Sequence, residues 1–344
     1  MLFQTQTLPV ARVQARFIPR QLRSYLVAFC LLAPIFSGCG QDGNVRPTAT
    51  SGGEGGGGAS TSSSAGGGAQ NNPLPLSLLN WNVHNYLNNK DDSPDFAEVV
   101  VTTAEYVAHR KAIGAVLAAQ SPDIAVLQEV ENAAALSDLL DVELPGIYGS
   151  QGLIDGNDPR GIDIAVISKI PIDKIVTHKD DSFTLYGTIG PTYRFSRDCP
   201  EIHLVFNGRK LILLGTHLKA KANDDPNKRL AEAQHTRAIA DNLAKADPTA
   251  AIVVLGDFND TPGSPPYLAV IGSGDTMYKN TPELLPTQDR WSYNYNGKLE
   301  LVDHQMANPL FAPMLDPMSI TITRGNDVEA ASDHYPVMAT YLVQ

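Results

Sequence analysis

Asp257, Asn259 and Asp260 close the run Ile252-Val253-Val254-Leu255-Gly256-Asp257-Phe258-Asn259-Asp260, where β-branched and aliphatic residues give way to Gly, Asp and Asn. The apolar part has the composition of a buried strand. Strand side chains alternate between faces, so Asp257 and Asn259 point one way while Phe258 points back to the core. A carboxylate beside a carboxamide offers two hard oxygen donors. Such a pair suits a divalent cation, or a phosphate with its attacking water. An Asx turn at a strand end accounts for the same residues taken alone.

Other apolar runs end in the same way. Asn82, Glu129 and His217 each follow one, Asp303 lies within a weaker strand pattern, and Asp333 and His334 open another. One or two such residues arise by chance. Seven or eight at strand edges argue for a shared site. Glu129 is a natural Mg²⁺ ligand, because that ion takes one or two carboxylates plus water and phosphate oxygens. His217 and His334 titrate near neutrality and suit general acid or base work. Taken singly, each is also explained as a solvated or hydrogen-bonded strand end. Asp333 adjoins His334 but faces away from it along a strand. The carboxylate that orients His334 is therefore expected elsewhere, with Asp303 the candidate. There is no Gly-rich phosphate loop, Gly-x-Ser-x-Gly elbow or His-Glu-x-x-His helix.

These residues need strands to carry them. The pattern predicts strands over Leu76–Val83, Ile124–Leu127, Ile162–Ile167, Glu201–Phe206, Lys210–Thr216, Ile252–Leu255 and Pro336–Val343. Weaker ones are expected over Glu300–Met306 and Ser319–Thr323. Asn207-Gly208 marks a hairpin turn between two of them. Ala104–Ala119 and Lys228–Lys245 read as helices, stopped by Ser121-Pro122 and Asp247-Pro248.

The fold fills only part of the 344 residues. Residues 1–38 hold four arginines, no acid and a short apolar run from Tyr25 to Phe36. That is the pattern of a signal peptide. Ser37-Gly38-Cys39 resembles a bacterial lipobox, with Cys39 the lipidated residue. An ordinary signal peptide with an incidental Cys is the alternative. Residues 39–72 are Gly/Ser-rich and cannot bury a core, so they read as a disordered tether with a reach of about 30 Å. Residues 73–344 form one domain, long but within range for an α/β sandwich. The chain is expected in the bacterial cell envelope, as a monomer touching the membrane only through the lipid. Without the leader, 26 basic residues less four arginines face 37 acidic ones, a net charge of −15. Such a chain is no tight non-specific DNA binder held by a basic surface, and cations must offset repulsion of a polyanion. The single cysteine beyond Cys39, Cys199, excludes a disulfide within the domain. A cysteine-rich zinc site is excluded as well.

Five stretches together resemble the endonuclease/exonuclease/phosphatase superfamily (DNase I-like). They are Leu79-Asn80-Trp81-Asn82-Val83, Asp123–Val130, Gly215-Thr216-His217-Leu218-Lys219, Gly256-Asp257-Phe258-Asn259 and Ser332–Val337. The resemblance implies a four-layer α/β sandwich of two packed mixed β-sheets flanked by helices, with the site at one edge. It implies that Asn82 and Glu129 serve metal and phosphate. His217 would contact the phosphate and assist the leaving group, with Asp163 its carboxylate partner. Asp257 and Asn259 would orient the water and a phosphoryl oxygen, with Asp257 also near the metal. Asp333 would be a metal ligand, His334 with Asp303 the general base, and Arg197 a phosphate contact. Mg²⁺ is the expected ion, with Mn²⁺ or Ca²⁺ as alternatives. His84 stands where the abasic-site repair enzymes would have an Asp, which argues against DNA repair.

A metal-dependent phosphodiesterase acting on extracellular DNA or RNA is the leading expectation. A phospholipid phosphodiesterase or an inositol phosphatase is the alternative, with Trp291–Tyr295 a segment that could dock on a membrane. A non-catalytic binding protein would have lost a core group, and none is missing. Lys219 and Lys221 could approach a phosphate backbone. Arg229 and Arg237 could do so too, although a solvated helix face explains them equally.

Overall fold

The computed structural model describes residues 72–92 and 99–344. The expected leader, Cys39 and residues 39–71 of the expected tether lie outside the described residues. The chain order begins β1 (Leu74–Tyr86), α1 (Thr103–Gln120), β2 (Ile124–Val130), α2 (Ala133–Glu143), β3 (Ser150–Leu153) and β4 (Asp163–Ser168). It continues β5 (Ile172–Val176), β6 (Phe183–Thr184), β7 (Thr192–Tyr193), β8 (Glu201–Phe206), β9 (Arg209–His217) and α3 (Pro226–Ala246). Then come β10 (Ala251–Asp257), α4 (Pro265–Ile271), β11 (Lys279–Asn280), β12 (Tyr293–Tyr295) and β13 (Lys298–Glu300). The order closes with β14 (Asp303–Ala307), β15 (Thr321–Ile322), α5 (Asn326–Ala331) and β16 (Val337–Val343).

Two mixed six-stranded sheets result, ordered β15-β16-β1-β2-β4-β3 and β11-β14-β10-β9-β8-β5. Each has one parallel pair at its centre, β1 with β2 and β9 with β10. The alternation of strand side chains builds the layers. Leu78, Val126, Leu213 and Val253 face inward and fill the space between the sheets. Their neighbours Leu79 and Leu127 face outward onto α1 and α2, against Ile113, Leu117, Leu136 and Leu139. Leu214 and Val254 face α3 and α4, against Ala233, Ala240 and Val270. This is the expected four-layer sandwich. Burial on both faces is why its strands read as unbroken aliphatic runs.

Local chemistry sets the helix starts. The Thr102 hydroxyl accepts the Glu105 amide proton while the Glu105 carboxylate accepts that of Thr102, a capping box that starts α1. Asp225 caps α3, with Pro226 at its first position. The sequence pattern does not anticipate α2, which Asn132 caps, or α4, which begins at Ser264-Pro265-Pro266. Nor does it anticipate the short strands β3, β5, β6 and β7 or the β12–β13 ribbon. The strand expected over Glu300–Met306 is broken. β13 pairs with β12 in a separate ribbon, Leu301 and Val302 tuck into the core, and β14 starts afresh at Asp303 beside β10. Among the described residues no helix is long and apolar enough to cross a membrane.

Candidate active site

Topology brings the polar strand ends together. In a parallel pair both carboxyl ends reach the same edge. Asn82 of β1 lies beside Gln128 of β2, and His217 of β9 lies directly beside Asp257 of β10. Antiparallel partners reach that edge with their starts. Asp303 opens β14 opposite Asp257, and His334 precedes β16, whose Val337 pairs with Asn80.

The strands break their regular geometry where they meet the site. Glu129 has φ 68°, Asn259 φ 51°, and His84 and Asn85 have φ 56° and 52°. The β1–β2 and β2–β4 registers shift at the same point. Non-glycine residues adopt positive φ at some cost, and such strain concentrates at functional sites. Here it turns the Glu129 carboxylate into the site, where the Asn85 N–H donates to its Oε2 at 2.7 Å.

Asp257 Oδ2 is the hub. Asn82 Nδ2 donates to it at 3.1 Å and to Glu129 Oε1 at 3.2 Å, joining the two sheets. His217 Nε2 stands 3.6 Å from Asp257 Oδ2 and 3.8 Å from Glu129 Oε1. His334 Nε2 stands 3.8 Å from Asp257 Oδ2. On the far side of that ring, Nδ1 is 2.8 Å from Asp303 Oδ2, which also accepts the Ser292 hydroxyl at 2.7 Å. The Asn259 N–H donates to Asp257 Oδ1 at 2.7 Å, while both side chains line one cleft of about 450 Å³. The Asx turn and the paired donors are therefore both present.

Electrostatics push the two histidines apart. Burial, reinforced by the nearby cations of Arg197, His334 and Arg160, holds His217 well below the ordinary imidazole range. Burial also disfavours charge on His334, but the Asp303 and Asp257 carboxylates outweigh it and raise its proton affinity. Burial raises Asp257 as well, against the opposing pull of His334. Two imidazoles of unequal proton affinity thus flank one carboxylate.

Asn82, Glu129, His217, Asp257, Asn259 and His334 all line this cleft, and Asp303 lies directly behind His334. Asp163 departs from the expected pairing. Its Oδ1 accepts the Gly156 N–H at 2.7 Å, and the carboxylates that approach His217 within 4 Å are Glu129 and Asp257. β4 runs antiparallel to β2, so Asp163 does reach the active edge, but opposite Val130 and not beside β9. Arg197 lines the cleft, yet it is buried, pairs with Asp158 at 2.9 Å and donates to the Leu218 carbonyl. Asp333 sits at the exposed rim, 3.9 Å from His84 Nδ1. Arg229 and Arg237 do not face a phosphate path. Arg229 is buried against Asp224 and Asp260, and Arg237 holds the Val270 and Ile271 carbonyls.

Four contributors escape the sequence reading. Arg160 lines the cleft and belongs to the Arg160-Gly161-Ile162-Asp163 stretch, where the Asp drew the attention. Tyr293 lies 4.5 Å from the His334 ring, with Tyr295 stacked on it at 6.2 Å. Ser292 orients Asp303. The signal for the last three is the alternating Trp291-Ser292-Tyr293-Asn294-Tyr295 pattern just ahead of Asp303.

The donor set fits a hard cation. Glu129 Oε1 and Asp257 Oδ2 converge on the Asn82 NH₂ with no Lys or Arg between them, and carboxylate oxygens are what Mg²⁺, Mn²⁺ and Ca²⁺ take. Among the described residues, ligand atoms of Asp257, Asp303 and His334 also lie within 4.8 Å of one another. In that trio Asp303 Oδ2 and His334 Nδ1 are already hydrogen-bonded to each other. The oxygen set is therefore the better cradle.

Residues 79–311 match the family described as Endonuclease/Exonuclease/phosphatase. No curated protein matches the chain in sequence. Solved structures share its fold. D. rerio TDP2 complexed with a single-strand DNA product is 18% identical, with a TM-score of 0.53 over 78% of this chain and 98% of that one. The human Nocturnin catalytic domain with bound sulfate is 16% identical, with a TM-score of 0.54 over 78% of this chain and 95% of that one. An endonuclease/exonuclease/phosphatase family protein from Bacteroides thetaiotaomicron is 17% identical, with a TM-score of 0.53 over 80% and 97%. At such identities the likeness speaks for the fold alone.

Proposed function

This chain belongs to the endonuclease/exonuclease/phosphatase family, and from that premise we propose that it is a metal-dependent phosphodiester hydrolase acting on nucleic acid. The observation that carries the reading is the Asp303–His334 pair, whose free Nε2 faces Asp257 across a cleft from a neutral His217. Phosphodiester hydrolysis needs a water in line with the leaving oxygen, charge stabilisation on the phosphoryl oxygens and a partner for the departing alkoxide. Glu129 and Asp257 would hold a divalent cation, which would supply positive charge at the phosphoryl oxygens, while the Asn82 carboxamide bridges the two carboxylates. Asp257 and Asn259 orient the water. His334, once deprotonated, takes its proton at Nε2, since Nδ1 is committed to Asp303. His217, neutral and buried, donates a hydrogen bond to a phosphoryl or leaving oxygen.

Nucleic acid is favoured by the Tyr293–Tyr295 wall beside the reacting groups. Aromatic faces stack on bases regardless of sequence. A structural relative solved with a single-strand DNA product supports the same choice. The lipid-anchored envelope location belongs to this proposal as well. Fractionation of cells carrying the full chain checks it, with Cys39→Ser expected to leave the membrane fraction.

The test of the activity incubates the full chain with supercoiled plasmid in Mg²⁺ or in EDTA. Nicking in Mg²⁺ and none in EDTA is the expected result. Hydrolysis of sphingomyelin vesicles or inositol phosphates without nicking would move the activity to those substrates. No hydrolysis of any of them in Mg²⁺, Mn²⁺ or Ca²⁺ would refute the reading.

A further inference from the structure

A second cleft adjoins the first. It has a volume of about 440 Å³ and shares Arg160, Arg197, Ala220 and Ala222 with it. Four cations line it, Arg160, Arg197, Lys219 and Lys228, against the single carboxylate of Asp158, a net of +3. The whole chain carries −11, so this concentration of positive charge is not a sample of the average surface.

The wall is fixed from behind. Glu232 of α3 is fully buried and uses both carboxylate oxygens on backbone amides of the lining. Oε1 accepts the Ser196 N–H at 2.7 Å and Oε2 the Lys219 N–H at 2.6 Å. Arg197 neutralises Asp158 from the buried side and Arg160 from the exposed side. Donors remain after these ties. Arg160 spends Nε and one terminal nitrogen on Asp158 and keeps the other terminal nitrogen. Lys219 Nζ uses two donors on the Ala220 and Ala222 carbonyls, and an ammonium has three. The Lys228 ammonium makes no hydrogen bond or ion pair among the described residues, while its backbone N–H donates to Asp225.

We propose that this cleft binds a second phosphate group of the substrate, next to the one that is cleaved. The inference rests on the phosphodiesterase reading of the neighbouring cleft and names its substrate class, an ester carrying at least two phosphates. Two sources share that chemistry, the next phosphate along a polynucleotide and a further phosphate on a small polyol. Arg160 spans both clefts and gives a fork that matches a phosphate, whereas Lys219 and Lys228 act as point charges.

Calorimetry with the full chain in EDTA separates the possibilities without turnover. Thymidine 3′,5′-bisphosphate is expected to bind at least tenfold more tightly than thymidine 5′-monophosphate. Lys228→Ala with Lys219→Ala should abolish the preference without moving the thermal midpoint, and Lys228→Arg should retain it. A matching preference for inositol 1,4-bisphosphate over inositol 1-phosphate would assign the subsite to any second phosphate. Its absence would assign it to the nucleotide backbone. Equal binding of the mono- and bisphosphates, or a preference that survives both lysine substitutions, would overturn the proposal. Failure of the plasmid assay alongside a retained bisphosphate preference would overturn the nuclease reading and leave this subsite standing.

Discussion

His334→Ala lowers kcat for phosphodiester hydrolysis by about 10³-fold and leaves KM within about threefold, the size expected for loss of a positioned proton acceptor. On the proposed mechanism the group acts on the water and not on the bound phosphate, so ground-state affinity should hardly change. Removing the ring also strands the buried Asp303 carboxylate with only the Ser292 hydroxyl, a penalty of about 1–3 kcal/mol in stability. His334→Gln keeps a hydrogen-bond donor beside Asp303 and separates the chemical effect from the structural one. The pH dependence carries the same signature. A base works only when deprotonated, so the rate rises as pH climbs through the His334 titration. Asp303 and Asp257 place that titration above the ordinary imidazole range in the absence of metal. Asp303→Asn removes one of these carboxylates and should move the rising limb to lower pH. Full activity in His334→Gln, or an unmoved limb in Asp303→Asn, would remove His334 from the role of base.

Gly256→Ala should be the most damaging single methyl group in the domain. Gly256 has φ 154°, a conformation that L side chains rarely adopt. It pairs with Thr216 of the adjacent parallel strand, and a Cβ on it would overlap the Thr216 carbonyl and hydroxyl oxygens. Neither strand can yield cheaply, because both are buried at the centre of their sheet. Overpacking of a core costs about 1–3 kcal/mol, and forbidden backbone geometry adds about as much again. We expect about 3 kcal/mol or more of destabilisation, read as a lowered midpoint in denaturant unfolding. Whatever folds should also lose activity, because Gly256 precedes Asp257 and Thr216 precedes His217. A variant of unchanged stability and rate would show that β9 and β10 tolerate separation at the hub.

Much of this was legible before any coordinates. The runs Leu76–Val83, Ile124–Leu127 and Ile252–Leu255 are buried on both faces, so their aliphatic composition alone marks them as strands. Their polar ends mark the edge where the site forms. Alternation along a strand turns Asp333 away from His334, whose ring meets Asp303 instead. Other features depend on contacts that no local pattern encodes. The Asp163 carboxylate reaches the active edge but is captured by the Gly156 amide. The positive φ at Glu129 serves an asparagine amide from a different strand. Tyr293 becomes part of the site only because the β12–β13 ribbon folds back over His334, which breaks the strand expected over Glu300–Met306.

The β1–β16 pairing has a consequence for when the protein becomes active. Asn82 and His334 are brought to the same edge by a ladder that joins Leu74 to Val343 and Asn80 to Val337. Contacts this distant in sequence form late, and a nascent chain offers its amino-terminal part first. Asn82, Glu129, His217 and Asp257 can all emerge from the ribosome while His334 is still unmade. Until β16 docks, that edge holds these four side chains without His334 beside them. The topology therefore makes completion of the site wait for the carboxyl-terminal strand.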